Sequence, residues 1–484
     1  MTTYLLRRLL LMVPTFLGIS VVIWLVMALS PGKPTGAGGG GEMGADPAQM
    51  DPNKDESERI FREQFALNRP VLWNGWTTLS DEEVLAAVEA VRGGVSGSGI
   101  EAFRRARESL TDWGRYAVPP LVRLLGRTEG EVQSAVLGWL RYASLWPRSI
   151  YAAGVTPTDE ELERDKRRLA ENERLKAPGM QWPAGATAAV RAPVVQRWQS
   201  WFDEGRAEWD LGAWARVGRG LSDTQFGHYW GNLLRGDLGL SSIERKPVGE
   251  MITSRLKYSL SLAVPSFLIA WVLAVLLGVV SATNHGKPLD HGIGVGLFLL
   301  YSIPVFATAT VLQRILAMEL KWFPVSNFDS GAAATQAMTT WQELKDILWH
   351  ITLPIVCYTY GGLAYISRQA RSGMLEVLKS DYVRTARAKG LPERQVVWRH
   401  AVRNGMMPVV TLLGTALPVL LGGSVVIEYI FNIDGFGRLL LNSIYQKDYN
   451  VIMGVELAVA ALTLVGMLIT DILYAVMDPR ISYA

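Results

Sequence analysis

The chain of 484 residues is 49% hydrophobic, has a mean hydropathy of +0.16 and carries a formal net charge of +3 at pH 7. This composition is too apolar for an ordinary soluble protein of several domains, so a membrane protein is the first class to consider. The small net charge gives no support for nucleic-acid binding. The single cysteine, Cys357, excludes an intrachain disulfide and a cysteine-based metal cluster.

Long apolar runs recur along the chain. A bilayer core requires about 20 consecutive, mostly apolar residues per helix. The runs that meet or nearly meet this length are Leu9–Leu29, Leu260–Ala282, Ile293–Met318, Ile351–Ile366, Pro408–Ile430 and Val451–Met477. We therefore predict an all-α polytopic membrane protein with six transmembrane helices. The first run is too long for a signal peptide, so we predict that it is retained.

The basic residues between these runs predict the orientation in the membrane. Arg7 and Arg8 precede the first run and predict a cytoplasmic N-terminus by the positive-inside rule. Six crossings would then return the C-terminus to the cytoplasm. The segment 371–405 carries eight Lys/Arg against three Asp/Glu, and the alternation predicts a cytoplasmic position for it, as the rule requires.

The runs also predict the domain organisation. Residues 1–30 form the first transmembrane helix, residues 31–257 an extracytoplasmic region, and residues 258–484 a core of five transmembrane helices. Within the extracytoplasmic region, stretches such as "DEEVLAAVEAVRGG" carry apolar residues at helical spacing and predict short paired helices. Their pattern is faintly similar to that of HEAT-type helical repeats.

The stretch Asp381–Asn404 predicts a basic helix-turn-helix. Val383 and the small residue Ala386 share one helical face, and Gly390 suits the residue just past a helix C-terminus. Pro392 and the residue after it suit the first turn of a second helix. Two interpretations of this stretch remain open. It is either a basic anchor that touches anionic lipid or a short helix presented to a groove in a cytoplasmic partner.

Several stretches resemble one known family. "YVRTARAKGL" followed by "RHAVRNGMMPVVT" is similar to the cytoplasmic EAA-type loop of ABC importer permeases of the dipeptide, oligopeptide and nickel group. The N-terminal stretch, "SIPVFATATVL" and "VVIEYIFNIDGFGRLLLNSIYQKDYNVIMG" resemble the same group in the same order. Together the similar stretches cover residues 1–33, 56–73 and 228–484. Residues from about 74 to 227 have no counterpart and form an insert of mostly helical pattern.

The resemblance implies a fold of the type I ABC importer kind in the bacterial inner membrane. It implies a second, similar permease as partner, two cytoplasmic ATP-binding subunits and an extracytoplasmic solute-binding protein, in contact with membrane lipid. The loop at 371–405 would be the coupling loop that enters a cleft of the ATPase, although Arg384-Thr385-Ala386 stands where the general motif has Glu-Ala-Ala. The resemblance assigns the coupling role to Arg384, Thr385, Ala386, Lys389, Gly390, Leu391, Pro392, Arg399 and His400.

Motifs for catalysis and cofactor binding are absent from the sequence. No G-x-x-x-x-G-K-[ST] phosphate loop occurs, so ATP hydrolysis is expected on other subunits. The five histidines are scattered, and no HExxH, paired-cysteine or G-x-S-x-G pattern is present. We therefore expect no enzyme activity, no cofactor and no metal site in this chain.

Three acidic residues lie within apolar runs. Asp471 is costly there and is expected either to line the solute path or to fix helix packing by a hydrogen bond. Glu428 and Glu456 lie near the ends of their runs, so we expect them at the membrane interface.

The sequence leaves two functions open. The first is the transmembrane permease of an ATP-driven importer that moves peptides or a similar small solute by alternating access. The alternative is a membrane-anchored interaction or scaffold protein whose helical insert is the functional part. Nucleic-acid binding is disfavoured because membrane spans flank the basic stretch.

Overall fold

The computed structural model describes residues 2–29, 62–63, 65–147, 149, 151, 156–209, 211–331, 338–410, 412 and 425–477. Within these residues the regular structure is helical and no strand occurs. Four of the described helices are long and apolar enough to cross a membrane, and a bent helix pair makes a fifth span if it is counted as one. The chain divides into two compact units, one of Met1–Pro34 with Pro247–Ala484 and the other of Thr35–Lys246.

The first unit holds the candidate membrane spans and is called the apolar unit; it begins with α1 (Thr2–Leu29). The second unit, whose described helices include no candidate span, is called the extramembrane unit. The helices of the extramembrane unit are α2 (Asp81–Arg92), α3 (Gly94–Ser98), α4 (Ile100–Trp113), α5 (Val118–Leu125), α6 (Gly130–Ser144), α7 (Asp159–Lys176), α8 (Ala188–Glu204), α9 (Arg206–Trp209), α10 (Ala213–Ser222) and α11 (Gln225–Leu234). Short 3₁₀ turns lie at Gly75–Thr78, Gly114–Ala117 and Pro178–Met180.

Local sequence explains where these short helices begin and what they bury. Ser80 precedes α2 and forms a capping box with Glu83. The backbone N–H and hydroxyl of Ser80 donate hydrogen bonds that lower the pKa of the Glu83 carboxyl. The helices enclose one apolar core, whose fully buried members include Val84, Leu110, Leu121, Leu140 and Trp198.

Two chain segments, residues 69–74 and 220–226, lie side by side at the start and end of the extramembrane unit's helical part and form what we call its neck. The chain segment after Arg69 runs beside the segment that leads into α11, and Arg69 forms an ion pair with Asp223 at 3.0 Å. Backbone hydrogen bonds run from Gln225 N to Pro70 O at 2.9 Å, from Phe226 N to Val71 O at 3.2 Å and from Asn74 N to Gly220 O at 2.8 Å. The chain therefore leaves the helical part next to where it entered.

The remaining helices form the apolar unit together with α1. They are α12 (Val248–Thr283), α13 (Pro288–Ser302), α14 (Val305–Leu312), α15 (Thr340–Leu378), α16 (Asp381–Ala388), α17 (Glu393–Gln395), α18 (Val402–Gly405), α19 (Val425–Ile430), α20 (Phe436–Gln446) and α21 (Tyr449–Met477). Single π-helical stretches lie at Gln313–Glu319 and Val396–Ala401. Helices α12 and α15 pack against each other, and α15 packs against the basic helix-turn-helix.

The third predicted run forms two helices rather than one. Helices α13 and α14, with the π-helical turn that follows, meet at an angle of 89°. Pro304 disfavours helical angles at the preceding residue, and Ile303 is accordingly extended with φ −90° and ψ 121°. The fifth predicted run, Pro408–Ile430, lies largely outside the described residues.

Candidate functional site: a basic helix-turn-helix and its anchoring contacts

The basic stretch folds as the helix-turn-helix that its sequence predicts. Helix α16 ends at Ala388, with Lys389 as its C-terminal cap. Gly390 follows with φ +76°, a left-handed conformation that glycine adopts without steric cost. Pro392 is the N-terminal cap of α17, one position earlier than its predicted place in the first helical turn. The chain then continues through the π-helical stretch into α18.

One face of this element is buried against the protein itself. Val383 and Ala386 of α16 and Val396, Val397 and Ala401 of the π-helical stretch are at most 6% exposed. They join a single apolar cluster with residues of α12 and α15. The element is therefore seated on the long helices by hydrophobic burial, which is the main favourable term in packing.

The other face is exposed and basic. The exposed residues among those assigned to coupling are Arg384, Thr385, Lys389, Gly390, Pro392 and Arg399. Leu391 and His400 are half-buried, and Leu391 packs against the apolar cluster. Ala386 points into the protein, so its small side chain does not open a path for a partner from outside.

An ion pair closes the turn between the two helices. The Arg387 guanidinium donates to both Glu393 carboxylate oxygens, with Nη2 at 2.8 Å and Nε at 3.1 Å. The hydrogen bond from Arg387 lowers the pKa of the Glu393 carboxyl and raises the pKa of Arg387 itself. The paired geometry spans Gly390 and holds the turn at neutral pH.

Glycines allow α15 to approach both its neighbours at the backbone. A Cβ at Gly373 would lie 2.2 Å from the carbonyl oxygen of Gly405, at the end of the basic helix-turn-helix. On α12, a Cβ at Gly278 would lie 2.5 Å from the Cβ of Ala370. Both distances are far below van der Waals contact, so larger side chains would push the helices apart.

A buried carboxylate lies beside these crossings. Asp290 in the first turn of α13 is 5% exposed. Arg371 of α15 donates to both of its oxygens at 2.8 Å from Nε and Nη2, the Ser281 hydroxyl donates to Oδ1, and the Gly286 N–H donates to Oδ2 at 3.0 Å. His285 Nδ1 is 3.0 Å from Arg371 Nη2. The cluster joins α12, α13 and α15.

Comparison with known proteins now gives the family. Residues 274–483 match the family described as "Binding-protein-dependent transport system inner membrane component". The oligopeptide transport system permease protein AppB of Bacillus subtilis is 39% identical over 268 residues, which are 54% of this chain and 83% of AppB. The chain belongs to this permease family.

Other members of the family are similar to this chain, called the permease below, over comparable fractions of their length. The dipeptide transport system permease protein DppB of Escherichia coli K12 is 37% identical over 274 residues, which are 54% of the permease and 80% of DppB. The glutathione transport system permease protein GsiC of Escherichia coli is 36% identical over 259 residues, which are 54% of the permease and 79% of GsiC. The family membership places the permease in a membrane.

The buried carboxylate of Glu428 organises a second node of the permease. Glu428 is 0% exposed and is therefore buried within the protein. It accepts a hydrogen bond from the Ser259 hydroxyl at 2.7 Å and from the Arg438 N–H at 2.9 Å. The Ser259 oxygen in turn accepts the N–H of Phe436 at 2.7 Å. The carboxylate thus satisfies donors at the N-terminus of α20 and ties that helix to α12.

Glu428 also explains a nearby glycine. A Cβ at Gly435 would lie 2.5 Å from the Glu428 carboxyl carbon, so only glycine fits beside the carboxylate. Sequence reasoning missed this node because Ser259 lies 169 positions from Glu428 in the chain. The signal that could have found it is an acidic residue in an apolar run followed by "GFG".

Asp471 of α21 forms an ion pair with α1. The Arg8 guanidinium donates to both of its oxygens, with Nε at 2.5 Å and Nη2 at 3.0 Å. The Asp471 side chain is 13% exposed and that of Arg8 is 44% exposed. The contact joins two membrane helices, which is the packing role weighed for Asp471. Among the described residues, no group of three or more His, Cys, Asp or Glu side chains could hold a metal ion.

Proposed function

We propose that this chain is the pore-forming permease of an ATP-driven importer that moves peptides or a similar small solute across the bacterial inner membrane. Its relatives are named as permeases of oligopeptide, dipeptide and glutathione transport systems, and these names support this class of solute. The observation that carries the proposal is the basic helix-turn-helix, because one of its faces is seated on the long membrane helices and the other is free for a partner.

The partners follow from the same proposal. A second permease of similar kind completes the pathway, an extracytoplasmic binding protein delivers the solute, and two cytoplasmic ATP-binding subunits receive the helix-turn-helix of each permease. The exposed Arg384, Thr385, Lys389 and Gly390 contact the ATP-binding subunit. Ala386 and Leu391 act indirectly, because they hold the element on its own helices. Both termini are cytoplasmic in this arrangement.

The mechanism is alternating access driven from the cytoplasmic side. When the ATP-binding subunits close on ATP, they draw the two helix-turn-helix elements together. The apolar seat and the backbone contacts at Gly373 and Gly278 transmit this movement to α15 and α12. ATP can shift the equilibrium only through its differential affinity for the two states, so a rigid connection between loop and helices is required.

A substitution at the turn tests the proposal. Gly390→Trp adds a large side chain at φ +76° on the exposed face, so it should abolish ATP hydrolysis stimulated by the binding protein and a tryptic peptide mixture. Gly185→Trp is the matched control, because Gly185 has φ +74° and open surroundings in the extramembrane unit. Membrane insertion should be normal in both variants. Full stimulation in the Gly390 variant would refute the coupling role.

The neck of the extramembrane unit favours the view that its helical part is an insert into a permease loop. Entry and exit segments are hydrogen-bonded side by side, so the loop can close without the helices between them. Replacing residues 74–222 by two glycines keeps Arg69 with Asp223 and keeps Thr224, the N-cap of α11. If the shortened permease still transports, the insert is accessory. Loss of transport in a shortened permease that still assembles would favour the alternative, an interaction protein whose insert is the functional part.

A further inference from the structure

Helix α13 carries a buried polar contact in its first turn. In α13, which the structure describes throughout, Asp290 is the buried residue. Large apolar side chains of the same helix, including Val295, Phe298 and Leu299, are at least 58% exposed. Leu297 of α13 packs against the apolar cluster, and Tyr360 of α15 donates to the carbonyl oxygen of Ile303 just after α13 at 3.3 Å. At the N-terminal end of α13, the ion pair between Asp290 and Arg371 is the tie to α15.

The ion pair between Asp290 and Arg371 lies next to the contacts through which α15 would follow a movement of the basic helix-turn-helix. On one side of α15, Gly373 meets Gly405 at the end of that element. On the other side, Ala370 meets Gly278 of α12. Arg371 lies between these two contacts in the sequence of α15. A displacement of the helix-turn-helix therefore reaches Arg371 through backbone contact, without an intervening flexible side chain.

The geometry of the pair suits a rigid connection. Both Asp290 oxygens accept from the Arg371 guanidinium, and this bidentate arrangement fixes orientation as well as distance. Ser281 and the Gly286 N–H satisfy further acceptor positions of the carboxylate. With all donors in place the carboxylate holds one orientation, whereas without Arg371 it keeps Ser281 and the Gly286 N–H but loses the bidentate partner on α15.

We propose that Asp290 and Arg371 are positioning residues for transport: their ion pair makes α13 follow the basic helix-turn-helix when the ATP-binding subunits move it. This inference rests on the proposed function. Through this ion pair, α13 with its exposed apolar face moves together with α15 and the basic helix-turn-helix. Without the pair, the helix-turn-helix and α15 still move, but α13 does not follow in register.

A functional test separates this role from a purely structural one. Arg371→Gln and Asp290→Asn should leave assembly of the complex and basal ATP hydrolysis intact. They should reduce the stimulation by binding protein and tryptic peptide mixture about tenfold, in the range of residues on a coupling path. Arg371→Lys keeps the charge but loses the fork, so it should show an intermediate loss. Arg368→Gln is the matched control, because it removes an exposed arginine from the same helix.

A distance measurement tests the rigid connection directly. Cys357→Ala gives a cysteine-free chain, and the exposed positions Gly292→Cys and Arg394→Cys then carry spin labels on α13 and α17. In the full complex, the label distance should be narrow and equal with and without ATP and vanadate. The Arg371→Gln variant should broaden it or make it dependent on nucleotide.

The outcomes distinguish failure of the positioning role of Asp290 and Arg371 from failure of the proposed function. Equal, narrow distances in the Arg371→Gln variant, or full stimulation in it, would overturn the positioning role while leaving the proposed function intact. If the unsubstituted complex itself fails to bind ATP-binding subunits, the proposed function fails first. If Arg371→Gln fails to assemble, Arg371→Lys decides: normal stimulation together with an unchanged label distance overturns the role.

Discussion

Substitution of Gly390 by alanine isolates the backbone contribution of the turn. Gly390 has φ +76°, and a Cβ placed on it would meet no atom within 4 Å, so alanine adds no clash. An L-residue in the left-handed region costs about 1–2 kcal/mol. The turn of Gly390→Ala should therefore open about 5–30 times more often than that of the native chain. Asn, which tolerates the left-handed conformation, should cost less.

Hydrogen–deuterium exchange of the detergent-solubilised permease measures this opening. The amides of Lys389 and Gly390 donate to Thr385 O at 3.1 Å and to Arg387 O at 2.9 Å, so they should lose protection in Gly390→Ala and lose less in Gly390→Asn. Gly292→Ala is the matched control, because Gly292 also has open space around its Cβ position but lies in α13 without a positive φ. Equal protection of the turn in Gly390→Ala and in the native chain would refute the argument from backbone strain.

Three further predictions concern charged contacts. Glu428→Ala leaves buried donors without an acceptor at about 1–3 kcal/mol for each, so the thermal unfolding midpoint should fall clearly, and an unchanged midpoint would contradict the node. Asp471→Asn and Arg8→Gln should destabilise the permease similarly, and the double variant should be no worse than either, whereas additive losses would argue against the pair. Because the pKa of Glu393 is lowered in the folded chain, its pairing with Arg387 stabilises the turn at neutral pH and is lost as the pH falls below the ordinary range of Glu. For so exposed a pair, hydrogen exchange of the turn should differ between the native chain and Arg387→Gln by at most about 1 kcal/mol at neutral pH. This difference should vanish at the lower pH, and a difference that persists there would contradict the pairing.

Local sequence predicted the basic helix-turn-helix well. The spacing of Val383 and Ala386, the glycine at 390 and the proline at 392 each carry a local rule, and the structure follows these rules within one residue. Val396 and Val397 of the following segment are buried on the same side. These features depend on neighbours a few residues away, which is why a single sequence contains them.

Contacts between distant residues were not predictable in this way. Arg371 meets Asp290 across 81 positions, and Ser259 meets Glu428 across 169 positions. The place of Glu428 in an apolar run says nothing about the N-terminus of α20, whose backbone donor at Arg438 it satisfies. Tertiary pairing decides these contacts. The bend in the run Ile293–Met318 is different, because Pro304 marks its place by a local rule and only the angle of 89° needed the structure.

Contact between the basic helix-turn-helix and an ATP-binding subunit is the central claim, and site-specific crosslinking tests it most directly. A photoreactive amino acid at Thr385, on the exposed face, should form an adduct with the ATP-binding subunit in native membranes. The same group at the exposed Gly292 of α13 should not. An adduct at Thr385 that lacks the ATP-binding subunit, or adducts of equal yield at both positions, would contradict the account.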